Sequence, residues 1–236
     1  MMRKRRCPSA TGPRATMPLP SGPRSAIDAV IRPTASVDAY SDQVLDLLDA
    51  LHVERAVVCG LSMGGYVTFA LLRRAQDRVS GIVLADTRST ADSPEILRMR
   101  EGMLERLQGG GASAVAVDMQ PKLFGPATYR KRPAVIASVR QFIERQPPDA
   151  IADAIRAMMT RPDSGALLSS LRMPALVIVG EDDVMTPPSD AEGMHAAIAG
   201  SSLVRLPGVG HMSNLEDPHA FNAAVADFLR GLKPKA

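Results

Sequence analysis

The spacing of apolar positions changes several times along the chain, and each change marks an element. Asp38, Tyr40, Val44, Leu45, Leu47, Leu48 and Leu51 recur at helical spacing, so 38–51 reads as an amphipathic helix. ERAVVCG follows. Its apolar, β-branched run ends at Gly60 and suits a buried parallel strand. LSMGG is a tight turn, and YVTFALLRRA resumes the helical period. SGIVLAD (80–86), PALVIVG (174–180) and SSLVRLPG (201–208) are three further strands. DAEGMHAAIA (190–199) and DPHAFNAAVADFLRGL (217–232) are helices, the second with Asp217 placed to cap it and Pro218 at its first position.

Between the second and third strands the pattern differs. PEILRMREGMLERLQ, ASAVAVDMQPKLF, YRKRPAVIASVRQFIERQ and PDAIADAIRAMMTR are helical segments broken by Pro and Gly, with no strand among them. Strand–helix alternation implies an α/β fold, a mostly parallel sheet with helices on both faces. The helical insert, 92–168, reads as a cap over the carboxyl ends of the strands, where open α/β sheets place their sites. The expected organisation is a core of 37–91 and 169–236, the cap, and an irregular leader of 1–36.

The leader carries Arg3, Lys4, Arg5, Arg6, Arg14, Arg24 and Arg32 against Asp28 alone. The net charge of +3 therefore belongs to it and not to a groove of the domain. Its five early prolines and missing apolar stretch do not suit a secretory signal; an organelle transit peptide is the lesser reading, an extension or misassigned start the greater. At most AIDAVIR (26–32) forms a short strand, and residues 1 to about 25 are expected to pack little. Trp is absent and aromatics make up 3%, against a base-stacking surface for nucleic acid or a membrane belt. No apolar run is long enough to span a bilayer. Cys7 and Cys59 do not form a disulfide framework, which points to a reducing, cytoplasmic setting.

The chemistry centres on Gly60-Leu61-Ser62-Met63-Gly64, a G-x-S-x-G between an expected strand and an expected helix. So sharp a turn strains the serine backbone, and the flanking glycines are expected to remove clashing side chains. It lifts the hydroxyl to the helix N-terminus, where the Met63 N–H is free to donate to an oxyanion. The serine needs a base. Of the four histidines, His52 and His195 fall on expected helices and His219 in the first turn of the last one. His211 follows Pro207-Gly208-Val209-Gly210 at the carboxyl edge of the sheet, where it would meet Ser62. The acid that orients the base comes from Gly180-Glu181-Asp182-Asp183. Asp183 is the first choice, Asp182 its near rival, and Asp86, at the end of the second strand, the distant one. No His/Cys/Asp cluster has metal-ligand spacing, and GLSMGG lacks the dinucleotide fingerprint, so no metal or cofactor is expected.

From about Val37 onward, GLSMGG, VLADT, VIVGEDDVMTPP and LPGVGHMSNLEDPHAFN resemble the α/β-hydrolase superfamily. Within it the likeness is to small capped serine esterases and lactonases of the 3-oxoadipate enol-lactonase type. The resemblance implies Ser62 as nucleophile, Asp183 as acid, His211 as base and Met63 as oxyanion donor. It also implies strands and a His-Gly oxyanion loop upstream of Val37. No His-Gly pair precedes Ser62, so the fold is expected to be N-terminally incomplete, with the strand before Ser62 near an open edge.

The expected function is hydrolysis of a small carboxylic ester or lactone through an acyl-enzyme. The alternatives are a catalytically impaired or dead remnant, and a C–C bond hydrolase or perhydrolase using the same triad. Dehalogenases and epoxide hydrolases need a carboxylate at the elbow. Met99, Met103, Met119, Met158, Met159, Leu104, Leu107 and Phe124 give the cap an apolar lining suited to small apolar acyl or lactone substrates, or serve ordinary helix packing.

Overall fold

The computed structural model describes residues 34–232. Cys7, the 26–32 strand and the expected packing of the leader lie outside the described residues. Helix α1 (Val37–Ala50) starts at Ser36, whose hydroxyl accepts from the Asp38 and Ala39 N–H groups and so satisfies donors that a helix start leaves free. Strand β1 (Ala56–Leu61), helix α2 (Met63–Ala75) and strand β2 (Val79–Ala85) follow. After the helical insert come β3 (Ala175–Gly180), the helix Pro188–Ala197, β4 (Ser202–Leu206) and the closing helix Pro218–Gly231. The Asp217 side chain caps that last helix by accepting from Ala220 N–H at 2.9 Å.

Among the described residues the four strands are all parallel, in the order β1-β2-β3-β4. Side-chain alternation divides the core in two. Leu84, Val177 and Val179 point to a face covered by Phe69 and Leu71 of α2 and by Met194. Val83, Ala85, Leu176 and Ile178 point to the other, covered by Phe221 and its helix. Pairing of Leu61 with Ala85, Ala85 with Ile178, and Gly180 with Leu206 brings the carboxyl ends to one edge. The residues after each strand therefore emerge side by side. Among the described residues β1 pairs with β2 alone, and Cys59 on it is exposed.

The insert is helical throughout: α3 (Pro94–Leu123), α4 (Pro126–Lys131), α5 (Pro133–Glu144), α6 (Pro148–Met159) and the short α7 (Gly165–Leu168). We number the Pro188–Ala197 helix α8, the single turn Ser213–Glu216 α9, and the closing helix α10. The two segments expected on either side of Gly109-Gly110-Gly111 run on as one element with a kink, where Gly111 takes φ 65°. His52 is not on a helix. It sits in the turn after α1 with φ 54°, because α1 ends at Ala50. The fourth strand is shorter than its sequence pattern, since Pro207 has no N–H to continue the ladder.

Candidate active site

Ser62 stands between the last residue of β1 and the first of α2 with φ 52° and ψ −116°, a conformation that costs an L-residue about 1–3 kcal/mol. Its surroundings hold it there. Ser62 N–H donates to the Ala85 carbonyl at 2.9 Å, and the Ser62 carbonyl accepts from Gly65 N–H and from the Thr87 hydroxyl at 2.7 Å. The steric reason for the glycines is partly different from the expectation. A Cβ on Gly60 would lie 2.3 Å from the Gly64 carbonyl oxygen, so that glycine is required. A Cβ on Gly64 would meet nothing within 4 Å. The second close approach is at Gly65, whose Cβ would lie 2.3 Å from Thr87 Oγ1. The motif's closing glycine thus does not relieve a clash; the residue after it does, because α2 packs there against the end of β2.

His211 follows β4 on a buried loop. Its Nε2 lies 2.8 Å from Ser62 Oγ and its Nδ1 2.8 Å from Asp183 Oδ2. His211 and Asp183 are 2% and 3% exposed, so little water competes for the bond between them. Asp183 is further fixed by donors from its own loop. Oδ1 accepts from the N–H groups of Met185 and Thr186, and Oδ2 accepts from the Thr186 hydroxyl at 2.6 Å. Burial pushes the Asp183 carboxyl up; the hydrogen bond and charge of His211, with the Thr186 hydroxyl and N–H, outweigh it and hold the carboxyl below its ordinary range. Asp182, the near rival, is exposed and uses its N–H to bind the Val209 carbonyl. Asp86 is fully buried but bonds to Gly180 and Ser213, not to the imidazole. His195 lies on α8 bonded to Ser201, and His219 in the first turn of α10.

A half-buried serine hydroxyl, a buried imidazole and a buried carboxylate in hydrogen-bonded series on a strand–turn–helix elbow match a particular fold family. The family profile described as the alpha/beta hydrolase family spans residues 8–224. The chain belongs to the alpha/beta hydrolase family. A thermophilic esterase from Thermogutta terrifontis, solved with malate bound, is 38% identical, with a TM-score of 0.82 over 86% of this chain and 75% of that one. The enol-lactonase of Burkholderia xenovorans LB400 is 31% identical, with a TM-score of 0.76 over 83% of this chain and 73% of that one. A protein of Caulobacter sp. (strain K31), provisionally named carbamate hydrolase RutD, is 32% identical over 199 residues, 83% of this chain and 73% of that protein.

In this alpha/beta hydrolase, Ser62, Met63 and His211 open on a cavity of about 730 Å³ whose other wall is the helical insert. Met99, Met103, Met119 and Met158 line it. The other four apolar residues singled out in the insert pack instead: Leu104, Leu107 and Met159 around Val115 and Ile155, and Phe124 against Leu123 and Ile136. Arg100 and Arg161 share the buried Asp92 at 2.6 and 2.7 Å, and the Arg161 guanidinium lies 3.9 Å over the Tyr66 ring. Among the described residues no three His, Cys, Asp or Glu side chains converge as metal ligands, and no helix is long and apolar enough to cross a membrane.

Two contributors escaped the sequence reading. Thr186, beside Pro187-Pro188, braces Asp183, and its hydroxyl lies 3.3 Å from His211 Nδ1. Its spacing of three from Asp183 is the local signal that could have found it. Glu216 binds Gly125 N–H, the Thr128 hydroxyl and Met212 N–H, so it joins the insert to the residue after His211. No local pattern announces contacts across some 90 residues of chain.

Proposed function

We propose that this protein is a serine hydrolase that cleaves small carboxylic esters or lactones through an acyl-enzyme. The observation that carries the reading is the bonded series Ser62–His211–Asp183, with 2.8 Å at each link. His211 Nε2 takes the Ser62 proton as Oγ attacks the carbonyl carbon. Asp183 holds the ring by Nδ1–H and stabilises the imidazolium. Met63, first in α2, has an N–H with no partner inside the helix, and it donates to the tetrahedral oxyanion. His211 then gives its proton to the leaving alkoxide, which in a lactone stays tethered to the acyl group. A water, deprotonated by His211, hydrolyses the ester on Ser62 and frees the acid.

Residues 92–168 serve as a cap in this reading, over a core of 37–91 and 169–236. The cap's contribution to the cavity is mainly apolar, from Met99, Met103, Met119, Ile151, Ile155 and Met158, with Arg100, Lys122 and Gln146 as polar members. Such a wall favours substrates with an apolar acyl or ring portion, held with the ester carbonyl at Ser62. The esterase and enol-lactonase relatives support the bond type.

The test is hydrolysis of short-chain nitrophenyl esters and of a simple lactone by the full chain and by Ser62→Ala. Turnover by the parent, reduced on the order of 10⁴-fold or more in the variant, is expected. Equal turnover by both would overturn the reading.

A further inference from the structure

We propose that Asp86 is a positioning residue of the active site, tying the loop that carries Asp183 to the loop that carries His211. The proposal rests on the hydrolase reading above. Asp86 directly follows β2, fully buried, with φ 45°. Its backbone N–H is anchored to the Ile178 carbonyl on β3 at 2.9 Å. One carboxyl oxygen accepts from Gly180 N–H at 2.9 Å, and the other bonds the hydroxyl of Ser213.

Each partner is the stem of one loop. Gly180 ends β3, and its carbonyl accepts from Asp183 N–H in the turn that delivers the acid. Ser213, with no exposed surface, lies two residues past His211 and opens α9. The two loops come from β3 and β4, and a single buried carboxyl fixes their spacing. The strain at Asp86 is held at this junction, where the geometry of the Asp183–His211 bond is set.

The tie does not need a charge. Burial lifts the Asp86 carboxyl to about 7, against the bonds from Ser213 and Gly180 and the charge of His211, which pull it down; the charge of Asp183 pushes it further up. A protonated carboxyl still accepts from Gly180 and can donate to Ser213. An asparagine side chain keeps both functions, with its oxygen on Gly180 and its amide on Ser213. An alanine keeps neither.

The experiment measures kcat and KM on a short-chain nitrophenyl ester for the full chain and for Asp86→Asn, Asp86→Ala and Ser213→Ala, with far-ultraviolet circular dichroism on each. The parent and Ser62→Ala bracket the underlying reading: a silent parent refutes that reading, whereas the Asp86 proposal is judged against an active one. Asp86→Ala is expected to lose about 10- to 100-fold in kcat, with KM within about 3-fold, because misaligned catalytic groups slow chemistry more than binding. Asp86→Asn is expected to stay within about 3-fold of the parent, a rescue that a need for the negative charge would not allow, while Ser213→Ala separates the tie from the volume of the Asp86 side chain. Should Asp86→Ala fail to fold, Ser213→Ala carries the test, with kcat lowered about 3- to 10-fold at unchanged KM. Parental kcat in Asp86→Ala or in a folded Ser213→Ala would overturn the proposal. So would an Asp86→Asn as slow as Asp86→Ala, or a loss confined to KM.

Discussion

His211 Nε2 stands 2.8 Å from Ser62 Oγ, although 149 residues of chain separate the two. The contact exists because β1 and β4 end at the same edge of a parallel sheet, through the registers of β2 and β3 between them. If the two act as one unit, His211→Ala should lower kcat for ester hydrolysis about as far as Ser62→Ala does, on the order of 10⁴-fold or more, and the double variant no further. Steady-state kinetics on all three checks this, and an additive double variant would refute the coupling.

Asp183 and Asp86 should give stability opposite pH dependences. The Asp183 carboxyl is held below its ordinary value, so its contribution is complete above about 4, where an unfolded aspartate titrates, and fades as pH falls through the folded value. Asp183→Asn should therefore lose stability at neutral pH, and the gap to the parent should narrow in acid. Asp86 is lifted to about 7, so the folded state holds its proton more tightly. Stability tied to that proton falls as pH rises from about 4 to about 7. Asp86→Asn has no such proton to lose and should gain on the parent across that window. Urea midpoints from about pH 2 to about pH 8 decide both, the Asp183 effect below about 4 and the Asp86 effect between about 4 and about 7; parallel curves for parent and variants over that whole range would contradict the assignments.

The glycines of the elbow should sort by what surrounds them. Gly60→Ala and Gly65→Ala force a Cβ to within 2.3 Å of the Gly64 carbonyl and of Thr87, and should each cost about 2 kcal/mol or more. Gly64→Ala meets open space and sits in a helix, where alanine is the better helix former, so its stability should be unchanged or slightly raised. Thermal midpoints of the three variants measure the contrast.

Glu216 should matter for the union of insert and core. Glu216→Ala leaves buried donors of Gly125 and Thr128 without partners, and should destabilise the protein by about 2–3 kcal/mol. Both donors point to the same Glu216 oxygen, so Glu216→Gln can keep an acceptor for both in its amide oxygen and should cost less. Hydrogen exchange at Gly125 and Met212 should rise in Glu216→Ala before exchange in β2 and β3 does; uniform protection would count against a local tie.

The sheet and the proposed triad were legible because they rest on local patterns. Apolar runs ending in Gly or Asp identify β1, β2 and β3, and each candidate group lies within five residues after a strand. The choice among Asp183, Asp182 and Asp86 was open in sequence, since all three follow strands; it turns on which carboxyl the imidazole reaches. The role given to Gly64 failed because a motif records residue identity and not the packing of α2 against Thr87. Thr186 was half legible, through its spacing from Asp183. The Asp86 and Glu216 ties were not legible, since their partners are backbone N–H groups and hydroxyls brought together only by the finished fold.

The most direct measurement is labelling of the full chain with a fluorophosphonate, followed by peptide mass spectrometry. The predicted result is one adduct on Ser62, formed in the parent, abolished in Ser62→Ala and strongly slowed in His211→Ala. Adduct formation of equal extent in the parent and Ser62→Ala, or on a serine other than Ser62, would contradict the account.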